Sequence, residues 1–330
     1  MPEDFNDERG KQEEIVGWLR ENSIPLTSLN PEERTDDLQP FQNVVGNSQI
    51  VGLGEATHGN REFSEIRDRL FRFLVEEMDF EGLVMEVPEE PAKKINEYIH
   101  GTEGKPEELL ENLGYWITRN QEVLDMINWM RKYNQENPIK QIGFYGCDIP
   151  KDDSRRQSSN LRDKAMAQNC MRFLSEAGDD AKLVFWAHNT HVANLDIASF
   201  KTVGSHLKER LGEKYINFAT IFDSGSLLAR KGDFRAETTG DIETFKLPES
   251  QDNSYARFFK EAGKPLSITD LRGTKSNSIF ESWYEGRLTV FDVGSVYDPQ
   301  SEKIYSQTID LPNKYDGIIW VEKVSPSTLI

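Results

Sequence analysis

With 330 residues, 37% of them apolar, the chain can bury the core of one large α/β domain or two smaller ones. A net charge of −18 and a pI near 4.8 argue against non-specific binding to nucleic acid or anionic membrane. The acids are spread along the chain, which reads as a hydrated surface suited to a salty cytoplasm rather than a tail for a cationic partner.

Met1-Pro2-Glu3-Asp4-Phe5 is acidic and lacks the apolar core of a signal peptide. No run approaches the roughly 20 apolar residues of a membrane span. Ile15, Val16, Trp18 and Leu19 among charges predict an amphipathic helix over 8–22, ending before Ile24-Pro25. Residues 26–38 are polar and loop-like, 38–45 a second short helix, and Ile50 to Leu53 the first strong strand. A polar turn follows at once, Gly54-Glu55-Ala56-Thr57-His58-Gly59. Strand, polar turn and helix form the layout that puts reactive side chains at the carboxyl edge of a parallel sheet.

The helix predicted over 61–78 has Phe63, Ile66, Leu70, Phe73 and Leu74 on one stripe. Arg67 falls inside that stripe as the only charged residue expected inward between Phe63 and Leu74. Such an arginine must find an anion, because an unpaired charge in the interior is costly. Residues 82–88 form a second strand that carries Glu86, followed by a helix to about His100. A loop with a short helix is expected over 103–114 and a clear helix over 120–133. A third strand, 139–146, leads to Asp148.

Residues 151–159 are polar and expected to be exposed. The next helix, 161–174, turns Met166, Cys170, Phe173, Leu174 and Asp163 to one side. A fourth strand, 182–187, runs into His188-Asn189-Thr190-His191. A helix from about Ser199 to Leu211 and a strand over 215–222 come next. After Asp223 the signals weaken to candidate strands at 266–268, 287–293 and 318–321 and a helix near 253–262. The two cysteines, Cys147 and Cys170, make no disulfide framework or zinc ribbon and read as reduced core residues. Strands alternating with helices predict an α/β fold in three layers, a central mostly parallel sheet flanked by helices. It is read as a single domain over 1–330, with N-terminal helices in 1–44, a catalytic core in 45–225 and a C-terminal part in 226–330.

Four strand ends therefore offer groups that ionise or donate: Glu55 and His58, Glu86, Asp148, and His188 with His191. In a parallel sheet they share one edge, and Arg67 can reach it. The fitting chemistry is hydrolysis by water. His58 would take the proton, Glu55 or Glu86 would orient its ring, and Arg67 with His188 would stabilise an oxyanion. No Gly-x-Ser-x-Gly elbow is present and neither cysteine sits as a nucleophile, so a covalent acyl-enzyme is not favoured.

Each piece also has a structural reading. A histidine after a strand can simply cap or lie on the surface. Arg67 and Asp163 can form a structural ion pair, and Trp116, Trp129 and Trp186 can be packing residues. His58, His188 and His191 with Glu55 or Glu86 are ligand types for zinc, which keeps a metal-dependent hydrolase or peptidase as an alternative, although no His-Glu-x-x-His motif is present. A binding protein that kept the pocket without the reaction is the other alternative. Gly52-x-Gly54 lacks the third glycine of a nucleotide-binding turn.

At these residues the sequence resembles the erythromycin esterase-like family, part of a wider superfamily of Gly-x-x-His α/β proteins. The hallmark turn Gly54–Gly59 is matched by Glu62-Phe63, Arg67, Leu74 to Glu76 and Met85-Glu86-Val87-Pro88. Further matches are Trp116, Glu122-Val123-Leu124, Trp129, Arg131, Asn134 and Gly143 to Asp148. They continue with Arg162-Asp163, Met166-Ala167, Asn169 and Trp186 to His191, and more loosely with Tyr315-Asp316.

The resemblance implies hydrolysis of an ester, a macrolide lactone in the family's resistance enzymes, with the residue matching His58 as the base that activates water. It implies that Glu55, Arg67, Glu86 and His188 line the same site. The candidate set is thus His58, Glu55, Glu86, His188 and Arg67 for catalysis, and His191, Asn189, Asp148 and Trp116 for substrate binding. No cofactor or resident metal is expected, and a small-molecule ester or lactone is the expected partner, in the cytoplasm, without nucleic acid or membrane. One departure is that about a dozen residues join the third strand to the helix at 161. The family usually carries a long helical insertion there that walls the cleft in the macrolide enzymes, so a more open catalytic edge is implied.

Overall fold

The apolar runs pair as parallel strands, and the computed structural model describes them through residues 3–150, 152–154, 158–197, 200–233 and 238–330. Within 151–159, residues 151 and 155–157 lie outside the described residues, as does Ser199, the expected start of a helix. The strands are β1 (Ile24–Pro25), β2 (Ile50–Leu53), β3 (Gly82–Pro88), β4 (Gly143–Asp148), β5 (Leu183–Trp186), β6 (Asp196–Ile197), β7 (Phe200–Lys201), β8 (Tyr215–Asp233), β9 (Thr238–Leu247), β10 (Leu266–Asp270), β11 (Thr289–Phe291), β12 (Val296–Tyr297), β13 (Ser306–Thr308) and β14 (Gly317–Val324). The main sheet runs β1-β10-β14-β8-β2-β5-β3-β4, with β9 and β12 added to β8. From β14 to β4 every neighbour is parallel, and within this sheet the antiparallel pairings are β1 with β10, β10 with β14, and β8 with β9.

Strand side chains alternate between faces, so each central strand feeds two cores. Val51, Leu53, Leu83, Met85, Val184 and Trp186 pack on one face. That face is covered by α2 (Gln39–Val45), α3 (Arg61–Met78), α4 (Glu89–Ile99) and α6 (Gln121–Glu136), with α5 (Pro106–Asn112) beside them. Ile50, Val84, Leu183 and Phe185 pack on the other face. There they meet α1 (Glu3–Asn22), α7 (Ser159–Ala177), α9 (Val203–Leu211) and α10 (Tyr255–Ala262). The short α8 (Asn189–Val192) follows β5, and α11 (Glu281–Tyr284) and α12 (Leu311–Lys314) lie in the C-terminal part. The three-layer α/β expectation holds. Among the described residues no helix is long and apolar enough to cross a membrane.

Three elements differ from the sequence reading. Helix α3 is buried on nearly every side: Asp68, Arg69 and Arg72 are inside along with Arg67. The polar segment before α2 wraps the helix and supplies Glu32 and Asp37 as partners, while Asp68 comes from the helix itself. Arg69 pairs with Asp37 at 2.7 Å, while Arg72 pairs with Asp68 at 2.8 Å and with Glu32. The third strand starts at Gly143 rather than Ile139, which is 97% exposed.

Strand β8 continues past Phe222 to Asp233 instead of stopping where the polar Asp223-Ser224-Gly225-Ser226 suggests a turn. Gly225, with φ +139°, lets the strand pass against β14, where a Cβ would overlap the Val324 carbonyl. The distal half of β8 pairs with β9 and, at Arg230, with Val296 of β12. It rises past the carboxyl ends of the central strands.

Candidate active site

Strands β2 and β5 are adjacent, and the chain leaves them in opposite directions. The helix after β2 serves one face and α9, after β5, the other. The sheet therefore opens a crevice where the turn Gly54–Asn60 meets Ala187–His191. Asn189 locks the two together. Its backbone N–H donates to the Glu55 carbonyl at 2.8 Å, and its carboxamide makes two bonds to the backbone of Thr220 on β8, at 2.9 and 3.1 Å.

The Gly59 backbone meets the backbone of Leu228 so closely that a Cβ at position 59 would overlap the Leu228 carbonyl, while the Gly59 carbonyl accepts from the N–H groups of Leu228 and Ser327, each at 3.1 Å. Both the obstacle and its surroundings are backbone, so no rotamer change relieves the overlap. Gly59→Ala is expected to destabilise the fold by about 1–3 kcal/mol, measured as a lower urea midpoint at unchanged m-value. An unchanged midpoint would show that the two backbones can separate.

A cleft of about 650 Å³ opens above these turns, lined by His58, Glu86, Trp116, Arg162, His188 and His191 among others. His58 Nδ1 is bonded to Glu55 Oε1 at 2.7 Å. Its other ring nitrogen has no hydrogen-bond partner among the described residues, and the residue lines the cleft. Glu55 is buried, and its second oxygen takes the guanidinium of Arg67. Burial alone would push the Glu55 carboxyl up, but Arg67 and His58 outweigh it and hold it below its ordinary range.

Arg67 does not face the cleft. It is 1% exposed, donates Nε to the Phe63 carbonyl at 3.0 Å, and lies over the Trp186 ring at 3.8 Å. Burial pulls its pKa down to about 10 despite Glu55. Its place behind Glu55 suits holding that carboxylate rather than meeting an oxyanion. The alternative pairing of Arg67 with Asp163 is not the one formed.

Glu86 sits at the centre of a second group. One oxygen takes Arg162 Nη2 at 2.7 Å and lies 3.2 Å from His191 Nε2; the other accepts the His188 backbone N–H at 3.0 Å. Burial works against ionisation of Glu86, but His191 and Arg162 outweigh it and hold the carboxyl well below the usual range. Asp148 is buried away from the cleft surface. It holds Arg162 through Nε and Nη2, each at 2.9 Å, and accepts from the Tyr115 hydroxyl at 3.0 Å. Asp163, buried on α7, bonds His191 Nδ1 at 3.0 Å.

Burial disfavours a charge on His191, yet Glu86 and Asp163 on either side raise its pKa to about 10. Both ring nitrogens are then donors, so His191 Nε2 cannot accept from Arg162 Nη1, 3.3 Å away. The hydrogens on that guanidinium nitrogen remain available to the cleft. The folded pKa of His191 lies above its ordinary 6.5, so the stabilisation is complete below about pH 6.5 and is lost as pH rises through about 10. The urea midpoint of the parent is expected to fall more steeply over that window than that of His191→Gln. Parallel curves would mean that His191 is not held as a cation.

His188 stands beside His58, its ring centroid 5.1 Å from that of His58. Its Nδ1 accepts the Thr190 N–H at 3.3 Å, and its Nε2 lies 2.9 Å from Asp292 Oδ1, off the line of a good hydrogen bond. Burial lowers the tendency of His188 to charge, but Asp292 outweighs it and raises the pKa.

The structure thus brings His58, Glu86, His188, His191 and Trp116 to one cleft, and puts Glu55, Arg67, Asp148 and Asn189 behind it as supports. Arg162, Asp292 and Arg230 are site neighbours that the strand-end argument did not reach. The adjacent pair Arg162-Asp163 was the available signal, since each side chain bonds a different strand-end acid or histidine. The residues considered as zinc ligands are divided among carboxylate partners, and among the described residues no group of three or more His, Cys, Asp or Glu converges as a metal site.

Comparison with known proteins agrees with this architecture. The family model "Erythromycin esterase" matches residues 75–156 and 151–324. Erythromycin esterase type II of Escherichia coli is 31% identical over 134 residues, 41% of this chain and 31% of that protein. Erythromycin esterase type I of Escherichia coli is 30% identical over 38% of this chain and 30% of its own length. Bacillus subtilis YbfO, named as a hydrolase, is 26% identical over 59% of this chain and 45% of its own length. The chain therefore spans less than half the length of each of these relatives.

Among solved structures, a Bacillus cereus protein superimposes with a TM-score of 0.83 at 22% identity, over 97% of this chain and 99% of that one. A mutant of the erythromycin esterase EreC in its open conformation superimposes with a TM-score of 0.69 at 16% identity, over 92% and 98%. At these identities the likeness is one of fold.

Proposed function

The chain belongs to the erythromycin esterase family, and from that premise we propose that it is a hydrolase cleaving a carboxylic ester or lactone by attack of water activated at His58. The observation that carries the reading is the Glu55–His58 bond of 2.7 Å in a residue whose opposite ring edge faces an open cleft. The bond fixes the ring and favours the imidazolium that forms when His58 takes a proton from water. Arg67 keeps Glu55 ionised and in place.

As water adds to the carbonyl carbon, negative charge grows on the carbonyl oxygen. Arg162, with Nη1 free of carboxylates and its other nitrogens fixed by Asp148 and Glu86, is the donor suited to meet it. The His58 imidazolium then returns the proton to the leaving oxygen. Glu86 and His191 keep Arg162 and the His188 backbone in register. Asn189 and Asp148 act as supports on this reading, and Trp116 contacts substrate from the cleft wall.

The reading uses no cofactor and takes 1–330 as one domain, to whose 45–225 core the C-terminal part adds Asp292, Gly294 and Arg230. The short connection between Asp148 and Ser159 favours a small ester over a macrolide. Reduced cysteines, buried at 147 and 170, suit the cytoplasm. The test is a panel of aryl esters and lactones given to the parent and to His58→Ala. Turnover by the parent that the variant loses is expected, and equal turnover by both would remove His58 from the mechanism.

A further inference from the structure

Among the described residues of the cleft, every charged group but one is matched by an opposite charge. Arg162 is shared by Glu86 and Asp148, His191 lies between Glu86 and Asp163, and His188 faces Asp292. The base His58 has Glu55. Arg230 is the exception. It lines the same cleft from the overhanging half of β8, and its backbone is pinned by pairing with β12 and by its N–H bond to the Ser295 carbonyl at 2.9 Å. Its Nη1 donates to the Gly240 carbonyl at 3.1 Å, which aims the half-buried guanidinium without neutralising it. Among the described residues no carboxylate forms an ion pair with it.

An unmatched guanidinium is notable in a chain with 57 acids and a net charge of −18. The only acid among the described residues of the cleft lining, Glu86, is already committed to Arg162 and His191. Among the described residues of the lining, an incoming anion therefore meets no free carboxylate to repel it and, apart from the Arg162 Nη1 assigned above to the oxyanion, one cation with nitrogens to spare. The planar fork of arginine matches a carboxylate in two-point contact.

We infer that Arg230 is the subsite for an anionic group, a carboxylate, on the substrate, so that the ester cleaved is a half-ester or an ester of an acid-bearing molecule. This rests on the hydrolase reading for the reaction, though not for the binding. The neighbouring Tyr115, Trp116, Ile117 and Phe200 offer an apolar wall for the carbon chain between the carboxylate and the ester.

The test compares p-nitrophenyl hemiglutarate, which carries a carboxylate, with p-nitrophenyl methyl glutarate, in which that carboxylate is capped. The parent is expected to prefer the charged ester in kcat/KM by about tenfold, as a charge-assisted contact at a partly exposed site allows, and the preference should shrink with added salt. Arg230→Gln should abolish the preference and Arg230→Lys should restore part of it. No preference in the parent, or the same preference in Arg230→Gln, would overturn the inference.

If neither ester is turned over, the hydrolase reading has failed for this class, and Arg230 is judged on binding alone. Glutarate should then bind the parent about tenfold more tightly than Arg230→Gln by calorimetry. Equal binding, or none to the parent, would overturn it.

Discussion

Alanine in place of His58 is expected to lower kcat/KM on any ester the parent hydrolyses by about 100- to 10,000-fold near pH 7, the range a positioned general base contributes. The loss should fall on kcat, because in the proposed mechanism His58 acts on the water and not on the bound carbonyl. Glu55→Gln offers a finer cut. Glutamine keeps the size and an oxygen acceptor for Nδ1, but it no longer supports the imidazolium and it leaves Arg67 without its anion. A smaller fall in kcat with a KM close to the parent's is expected. If Glu55→Gln raised KM alone, Glu55 would be shaping the cleft rather than tuning the base.

The second large effect concerns stability. Arg67→Met removes the cation from a pair in which the arginine is 1% exposed and the carboxylate 7%. Glu55 would then be buried with only His58 for support, and breaking one side of such a pair costs about 3–5 kcal/mol. The urea midpoint should fall accordingly. The double variant Arg67→Met with Glu55→Gln should recover part of the loss, because the orphaned charge is gone. A single variant within about 1 kcal/mol of the parent would mean that water reaches Glu55 and the pair is not buried in solution. The methionine keeps much of the packing on Trp186, so the comparison isolates the charge from the volume.

The central strands and the helices between them were legible in the sequence because burial on both faces leaves continuous apolar runs that end abruptly in polar residues. The same abruptness marked Glu55, His58, Glu86, Asp148, His188 and His191 as a group, since parallel strands present their carboxyl ends to one edge. Depth was harder to read. Asp148 and Asn189 belong to the right turns but point into the structure, and nothing in their spacing distinguishes a residue facing the cleft from one facing the adjacent backbone.

Arg67 was legible as inward-facing. The burial of Asp68, Arg69 and Arg72 was not, because it depends on the segment around Asp37 folding over the outer side of α3. Asp292 and Arg230 were hidden for another reason. Asp292 follows a weak candidate strand, β11, whose place over the cleft depends on long-range pairing, and Arg230 comes from the continuation of β8 through Asp223 to Ser226, where local preference signals a turn and pairing with β9 and β14 overrides it.

The position of β2 in the sheet has a consequence for how the molecule is made. Ile50 pairs on one side with Leu183 and on the other with Tyr215, so the strand that leads into Glu55 and His58 waits for partners synthesised much later. Strand β14, ending at Val324, completes the other side of β8. Pairings this distant must close long loops before they are rewarded, and folding governed by them is slow. A nascent chain that has released β2 to β8 still presents β8 with an apolar edge and no neighbour, a state prone to aggregation and suited to chaperone capture. The turn Gly54–Asn60 should therefore form among the last features of the fold, and refolding rates should respond more to changes in the β8–β14 pairing than to changes in the turn itself.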